Sequence, residues 1–289
     1  MILYYALGGG LGHLVRARAV AHTLGIEDRM TVLSGSVHAD DPRVTGPLHV
    51  RRVPLRLERD PVGCRDWLIQ IMRELQPEEL FLDTFPAGIL GELAGRGFPA
   101  DVRMRHLARL VRREVLAELF GPAGPTFETC YMLEELGTEH CERLAARAGS
   151  VERLELTDPP CVSPGDDAAQ QLAATIESRH AAFWLVVHSG PAEEVGELLR
   201  LATDMRSMEN VEVDFVVLTR VPIAAVPART FVHDLHPAAL LFRSAQRIIS
   251  AGGFNTLRQA TPWRGKHVIL PFARRWDDQF ERAARYRAR

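Results

Sequence analysis

The sequence predicts an α/β protein made of two Rossmann-like domains, and three observations carry this prediction. Short apolar segments alternate with helical segments along most of the chain, as in parallel sheets covered by helices. A glycine turn joins an apolar segment to a helical segment in each half, at residues 8–10 and at residues 252–253. Proline, glycine and acidic residues concentrate at residues 158–167, where backbone donors are lost and a linker is expected.

The first half opens with the apolar run 2–7, which ends at three glycines and predicts a buried parallel strand that enters a tight turn. Residues 13–24 carry apolar side chains at helical spacing and stop at Gly25, which predicts a helix. Strand, turn and helix in this order are typical of a Rossmann-type domain. Further strands are predicted at residues 30–33, 49–53, 79–83 and 102–108, and a helix at 64–76.

The second half repeats the alternation after the linker. We therefore predict an N-terminal domain at residues 1–157, a linker at 158–167 and a C-terminal domain at 168–289. The predicted strands of the second half are residues 183–187, 211–218, 230–232, 248–250 and 267–270, and its helices are 193–205, 255–259 and 277–289.

Composition excludes several function classes. The 35 basic residues nearly balance the 37 acidic ones, so no overall field would recruit nucleic acid. The four cysteines lack C-x-x-C or zinc-ligand spacing, so we expect neither a metal site nor a redox pair. No signal peptide and no apolar run of about 18 residues is found, which predicts a cytoplasmic protein. We interpret the arginine-rich final helix as a solvated surface, with contact to a membrane surface as the alternative.

The first glycine turn leads directly to His13, at the predicted start of a helix. Backbone amides and a positive helix end converge there and suit an anion or a sugar oxygen. An imidazole at this place could act as a general base, and the alternative is a histidine that only hydrogen-bonds its neighbours. Because His13 stands where the dinucleotide fingerprint needs its third glycine, and no G-K-[ST] occurs, a dinucleotide site and a P-loop are both disfavoured.

Asp83 closes the predicted strand at 79–83, on the sheet edge where α/β proteins form clefts. A carboxylate at this edge could orient the His13 imidazole and stabilise its charged form. The alternative is an aspartate that caps a helix or supports a turn.

In the second half, paired glycines between a strand and a helix form a second predicted anion cradle. Gly252 and Gly253 would admit a diphosphate, which helix amides and the Thr256 hydroxyl would bind. The next predicted strand is followed by Asp277, Asp278 and Gln279, whose acid and amide side chains could bind sugar hydroxyls. The turn at Ser189 and Gly190 is another place for a phosphate-facing loop.

Four motifs in this chain resemble those of the GT-B superfamily, especially bacterial predicted glycosyltransferases related to the N-acetylglucosaminyltransferases of lipid II synthesis. They cover nearly the whole chain in the expected order. The motifs are G-x-G-H-x-x-R-A at residues 10–17, D-x-x-P-x-G-x-x-x-E-L at 83–93, S-x-G-G-x-N-T-x-x-x-A at 250–260 and P-x(6)-D-Q at 271–279.

The resemblance implies two Rossmann-like domains facing each other across a cleft, with the donor held mainly by the C-terminal domain. It implies His13 as the base with Asp83 as its support, and an acceptor-side loop that contains Gly10, Gly12 and Arg16. Gln259 stands where the family usually has a glutamate that binds the ribose, which puts the nucleotide's identity in question. The implied donor-binding residues are Ser189, Gly190, Phe231, Val232, His233, Gly252, Gly253, Asn255, Thr256, Gln259, Asp278 and Gln279.

The expected activity is therefore glycosyl transfer of the hexosyltransferase type. A nucleoside-diphosphate sugar, UDP-linked in the family, would be the donor substrate, a hydroxyl the acceptor, and neither a metal nor another cofactor would take part. Attack would be direct and inverting. The alternatives are a nucleotide-sugar hydrolase of the same fold, in which water replaces the acceptor, and a noncatalytic nucleotide-sugar-binding subunit. The sequence does not indicate the sugar, the acceptor or the oligomeric state.

Overall fold

A computed structural model describes residues 1–95, 101–121, 124–161 and 164–288 of the chain. The chain forms two compact units. The N-terminal unit comprises Met1–Pro160 together with Arg275–Asp277, and the C-terminal unit comprises Cys161–Arg274 and Asp278–Arg289. Each unit is a parallel sheet with helices, so the prediction of two Rossmann-like α/β domains is confirmed.

The division between the units falls inside the predicted linker, 158–167. Residues 162 and 163 of that segment lie outside the described residues. A helix already begins at Pro164, because proline is tolerated in the first turn of a helix, where its missing donor has no partner to lose.

The N-terminal unit is built on a seven-stranded sheet whose described strands are all parallel, in the order β3-β2-β1-β4-β5-β6-β7. The strands β1 and β4 lie side by side at its centre, so their carboxyl ends meet at one edge. The strands are β1 Ile2–Ala6, β2 Met30–Ser34, β3 His49–Arg52, β4 Glu79–Asp83, β5 Arg103–Ala108, β6 Phe127–Met132 and β7 Ala148–Arg153.

Helices of this unit begin and end at residues with clear local reasons. Helix α1 ends at Gly25, whose φ of 63° lies in the left-handed region that favours glycine. Helix α3 begins after Asp60, whose carboxylate accepts a hydrogen bond from the Gly63 amide at 2.9 Å. The helices are α1 Leu11–Leu24, α2 Pro42–Thr45, α3 Pro61–Leu75, α4 Leu116–Phe120 and α5 Thr138–Ala145.

The C-terminal unit contains a five-stranded parallel sheet in the order β10-β9-β8-β11-β12, with apolar clusters on both faces. Its strands are β8 Phe183–Val187, β9 Asp214–Leu218, β10 Thr230–His233, β11 Arg247–Ser250 and β12 His267–Ile269. Its helices are α6 Pro164–Arg179, α7 Ala192–Glu209, α8 Phe254–Ala260 and α9 Gln279–Ala288.

The final helix begins two residues later than predicted. Asp278 precedes α9 and its carboxylate accepts a hydrogen bond from the Glu281 amide at 3.0 Å, so this side chain caps the helix. Arg289, the predicted last residue of the helix, lies outside the described residues. Within the residues that the structure describes, every helix is too short or too polar to cross a membrane.

Two buried histidines of the N-terminal unit make its stability depend on pH. His106 on β5 stacks on Phe127, and His140 on α5 meets the edge of Phe120. Burial lowers the pKa of His106 to about 3, and the nearby His140 adds to this shift. Burial also lowers the pKa of His140, to about 4. Because the unfolded chain takes up these protons near pH 6.5 and the folded chain does not, stability falls as the pH drops below about 6.5.

We expect His140→Phe to reduce this acid sensitivity, since the phenyl ring keeps the aromatic contact and takes up no proton. Between pH 7 and pH 4.5 the variant should lose about 2 to 3 kcal/mol less unfolding free energy than the parent. Urea titrations at both pH values measure the difference. Equal losses in the two proteins would mean that His140 is already protonated in the folded chain.

Candidate active site

His13 lies in the first turn of α1, just after the glycine turn that follows β1. Its Nδ1 is 2.6 Å from Oδ2 of Asp83, at the end of β4. The two residues are 70 positions apart in sequence, and the pairing of β1 with β4 brings them together. The structure thus joins the predicted base and its predicted support, while their catalytic roles remain predictions.

The protonation state of this pair follows from its surroundings. Burial alone would raise the pKa of Asp83, but Arg16 and His13 hold it far below its ordinary value. An ionised carboxylate only accepts hydrogen bonds, so the proton of the short contact belongs to Nδ1 of His13. Nε2 of the same ring is then left with its lone pair.

Burial is the largest influence on the pKa of His13 and lowers it. Asp83 opposes this shift, and the positive charges of Arg16 and Arg109 reinforce it. The imidazole is therefore neutral at neutral pH, as a general base must be before it accepts a proton. Its side chain keeps 14% of its surface exposed, whereas that of Asp83 is fully buried at 0%.

Arg16 binds the same carboxylate from one turn further along α1. Its Nε donates to Oδ1 of Asp83 at 2.6 Å and its Nη2 donates to Oδ2 at 2.7 Å. Such a bidentate pair fixes the plane of the carboxylate as well as its charge. The sequence predicts Arg16 only as part of an acceptor-side loop, whereas in the structure it is 3% exposed and holds Asp83.

Thr84, the next residue after Asp83, has a φ of 69°, which is rare for a β-branched residue. Its hydroxyl accepts hydrogen bonds from Arg16 Nη2 at 3.2 Å and from Arg109 Nε at 3.0 Å, and it lies 3.2 Å from Oδ1 of Asp83. Arg109 in turn pairs with Asp277. Sequence reasoning assigned no role to Thr84 or Arg109, and it expected Asp277 to bind a sugar hydroxyl rather than an arginine.

Gly8 packs against the imidazole of His13. A Cβ atom at Gly8 would lie 2.3 Å from Nε2, which is closer than real Cβ atoms approach. The ring is held by Asp83 on its other side and has little freedom to move away. Only glycine at this position therefore leaves room for the ring in its observed orientation.

We expect Gly8→Ala to reduce turnover by about a hundredfold or more, because the added methyl group displaces the ring or covers Nε2. Gly137→Ala is the matched control, since Gly137 precedes α5 and a Cβ there meets no atom within 4 Å. Initial-rate measurements on the two variants, with circular dichroism to check folding, make the comparison. Equal loss in both would mean that the contact between Gly8 and the His13 ring is not the cause.

The loop that follows Asp83 is held by a buried carboxyl group. Glu92 is 3% exposed, accepts a hydrogen bond from the Tyr5 hydroxyl at 2.6 Å and accepts another from the Leu90 amide at 2.9 Å. Burial raises the pKa of Glu92. Gly88 has a φ of 80° and packs directly on this carboxyl group, which explains why the motif at 83–93 places glycine and glutamate four residues apart.

In the C-terminal unit, the second glycine turn joins β11 to α8, and the two glycines have different surroundings. A Cβ at Gly252 would lie 2.8 Å from the carbonyl oxygen of Gln279, so this glycine is needed for close packing. A Cβ at Gly253 would meet no atom within 4 Å, so this glycine faces open space. Asn255, Thr256 and Gln259 are half-buried on α8.

The remaining predicted donor residues lie in the same unit. Gln279 is 5% exposed and its Oε1 accepts a hydrogen bond from the Phe272 amide at 3.0 Å, while Asp278 caps α9. Both side chains thus have structural contacts that the sequence did not predict, and their binding to a sugar stays a prediction.

Ser189 and Gly190 form the turn after β8, next to His188, whose Nε2 lies 2.6 Å from Oε2 of Glu194. On β10, at an edge of the sheet, Phe231 and Val232 are exposed and His233 is half-buried. In residues 1–95, 101–121, 124–161 and 164–288, no group of three His, Cys, Asp or Glu side chains could hold a metal ion.

Comparison with known proteins shows the fold. No protein-family model and no curated protein sequence matches the chain. Among solved structures, a spinosyn rhamnosyltransferase complexed with thymidine diphosphate is 15% identical, with a TM-score of 0.60 over 100% of this chain and 84% of that one. The glycosyltransferase SnogD from Streptomyces nogalater is 14% identical, with a TM-score of 0.60 over 99% and 84%.

A UDP-N-acetylglucosamine 2-epimerase from Rickettsia bellii is also similar, at 11% identity and a TM-score of 0.56 over 96% of this chain and 80% of that one. At such identities the likeness concerns the fold alone. The chain therefore shares its α/β fold with these glycosyltransferases and with the epimerase, in agreement with the predicted fold class.

Proposed function

We propose that this protein is a glycosyltransferase of the hexosyltransferase type that moves a sugar from a nucleoside-diphosphate sugar to an acceptor hydroxyl. The observation that carries the proposal is the neutral His13 imidazole, which is held through Nδ1 by Asp83 and has its Nε2 lone pair beside Gly8. This geometry supports the role of a general base whose charged form a carboxylate stabilises. The glycosyltransferase fold supports the same activity.

In the proposed reaction Nε2 of His13 takes the proton of the acceptor hydroxyl as its oxygen attacks the anomeric carbon. The bond from that carbon to the diphosphate oxygen breaks, and the diphosphate leaves with the electron pair. Asp83 stabilises the imidazolium that forms. A single direct displacement of this kind inverts the anomeric centre.

The donor diphosphate would lie against the open side of Gly253, where backbone amides at the start of α8 can stabilise its charge. No metal ion is required in this scheme. Gln259, in place of the usual glutamate, would hold the ribose through its amide, so the nucleotide itself needs a direct test. UDP is the nucleotide that the sequence resemblance implies.

A second function, hydrolysis of the nucleotide sugar, has one observation in its favour. The neutral imidazole of His13 can deprotonate water as well as a hydroxyl, because a general base acts on either nucleophile. A third possible function is noncatalytic binding of a nucleotide sugar. It would follow if the amide of Gln259 held the donor in an orientation that is unsuited to attack.

A thermal-shift panel with UDP, dTDP, GDP and their sugars tests donor binding first. A ligand that binds only the folded protein at about 100 times its Kd adds roughly 2.7 kcal/mol of stability. Nucleotide release is then measured with and without a panel of hydroxyl acceptors. Release that requires an acceptor supports transfer, full release without one supports hydrolysis, and binding without release supports the noncatalytic role.

A further inference from the structure

Residues 275–277 come from the second half of the sequence but belong to the N-terminal unit, and we call them the returning segment. Asp277 forms a bridge with Val111, and the Arg112 amide donates to the Trp276 carbonyl at 2.8 Å. The Trp276 ring meets the edge of Phe85, with 5.9 Å between the ring centroids. Backbone and ring contacts thus fix the position of the Asp277 carboxylate.

Asp277 pairs with Arg109, which lies just after β5. Both side chains are largely buried, at 13% and 11% exposed. A buried pair of opposite charges holds both groups in place, since separating them would leave a charge without compensation. Arg109 also donates a hydrogen bond from its Nε to the Thr84 hydroxyl.

The Thr84 hydroxyl can accept two hydrogen bonds and donate one. Arg16 and Arg109 supply the two that it accepts, so its own proton is left for Oδ1 of Asp83. With this bond Asp83 accepts four hydrogen bonds: two from Arg16, one from His13 and one from Thr84. A carboxylate offers about four such sites, so its orientation is fully determined.

We propose that Arg109, anchored by Asp277, is a positioning residue for the general base. It acts through Thr84, whose hydroxyl it orients toward Asp83, and Asp83 in turn holds the His13 ring. The inference rests on the proposed function and deepens it, because it assigns a part of the reaction's machinery to the returning segment. The proposal assigns Arg109 no contact with the reacting atoms.

The charges that face His13 agree with this assignment. They are Asp83 from β4, Arg16 from α1 and Arg109 from the segment after β5. Arg109 contributes to the lowered pKa of His13, and Asp277 balances the charge of Arg109. Loss of Arg109 should therefore both loosen the ring and move its titration to higher pH.

The test compares Arg109→Gln with Arg113→Gln, which removes the same charge from an exposed residue of the same unit. Arg113 is 85% exposed and pairs with Glu139. Titration of the imidazole resonances by NMR, with His13 assigned from its own substitution, should show a higher pKa of His13 in Arg109→Gln and an unchanged one in Arg113→Gln. With substrate, kcat of Arg109→Gln should fall about tenfold while the KM for the donor changes little.

Thr84→Val separates positioning from charge, because valine keeps the shape and branching of threonine and removes only the hydroxyl. We expect it to lower kcat about tenfold as well, and the double variant to lose no more than either single variant. Multiplied losses in the double variant would mean that Arg109 does not act through Thr84, and would overturn the proposal.

The two hypotheses fail in different ways. Absence of turnover with every donor contradicts the proposed function, whereas the NMR titration needs no substrate and still tests the positioning. An unchanged His13 titration in folded Arg109→Gln overturns the inference even if the protein proves to be a glycosyltransferase. If Arg109→Gln does not fold, the NMR experiment is done with Thr84→Val instead. In that variant the hydrogen bond from His13 Nδ1 to Asp83 should weaken, and the Nδ1 proton should therefore resonate further upfield than in the parent.

Discussion

His13→Ala is expected to abolish measurable turnover while it leaves nucleotide affinity within a few-fold of the parent. The imidazole supplies the proton transfer, and general base catalysis contributes roughly 10² to 10⁴ in rate. The glycine turn proposed for the diphosphate belongs to the C-terminal unit, so the substitution removes none of its contacts. Initial rates and isothermal titration with the nucleotide measure the two effects separately.

His22→Ala is the matched control, because His22 lies on the same helix and pairs with Glu27 through its Nδ1 at 2.9 Å. It should leave turnover unchanged. The parent enzyme should lose kcat only as the pH falls below 6.5, since the pKa of His13 is lowered from that value. Equal activity in His13→Ala and the parent would remove His13 from the mechanism.

The alternation of the first strand, the glycine turn and the first helix could be predicted from the sequence because each has a strong local pattern. Glycine residues end both the apolar segment of the strand and the helical spacing of the helix. The buried strand is also apolar throughout. The contact between His13 and Asp83 could also be anticipated, since Asp83 ends one strand, His13 follows another, and the carboxyl ends of parallel strands lie at the same edge of the sheet.

The strands β6 and β7 were not predicted, and their composition explains why. β6 contains Glu128 and Thr129 within six residues, and β7 lies at the edge of the sheet with half of its residues exposed or charged. Neither has the apolar run of a central parallel strand. Their place is determined by pairing with β5, which only the folded chain supplies.

The hydrogen-bond network around Thr84 lay beyond sequence reasoning for another reason. Arg109 and Asp277 are 168 positions apart, and an isolated arginine or aspartate in an ordinary charged sequence predicts a surface residue. A detectable signal was the repetition of two acids before Gln279, of which only Asp278 belongs to the recognised motif. Asp277 joins the hydrogen-bond network around Thr84 through Arg109, and Asp278 caps α9.

Gly253→Val is expected to have the opposite phenotype to His13→Ala, with nucleotide affinity reduced by about a hundredfold or more, or roughly 2.7 kcal/mol. The backbone of Gly253 has a φ of −71° and a ψ of 137°, which valine adopts readily, and a Cβ there meets no protein atom within 4 Å. The protein should therefore fold normally. A diphosphate lying against this turn would collide with the new side chain.

Two other glycines make the result specific. Gly265→Val introduces the same side chain at a position that is also open, away from the turn, and should leave nucleotide affinity unchanged. Gly252→Ala should instead destabilise the C-terminal unit, because its Cβ would press on the Gln279 carbonyl oxygen at 2.8 Å. Thermal unfolding and nucleotide titration of the three variants separate a blocked site from a damaged fold. Unaltered nucleotide affinity in folded Gly253→Val would place the diphosphate elsewhere and leave the proposed donor site without support.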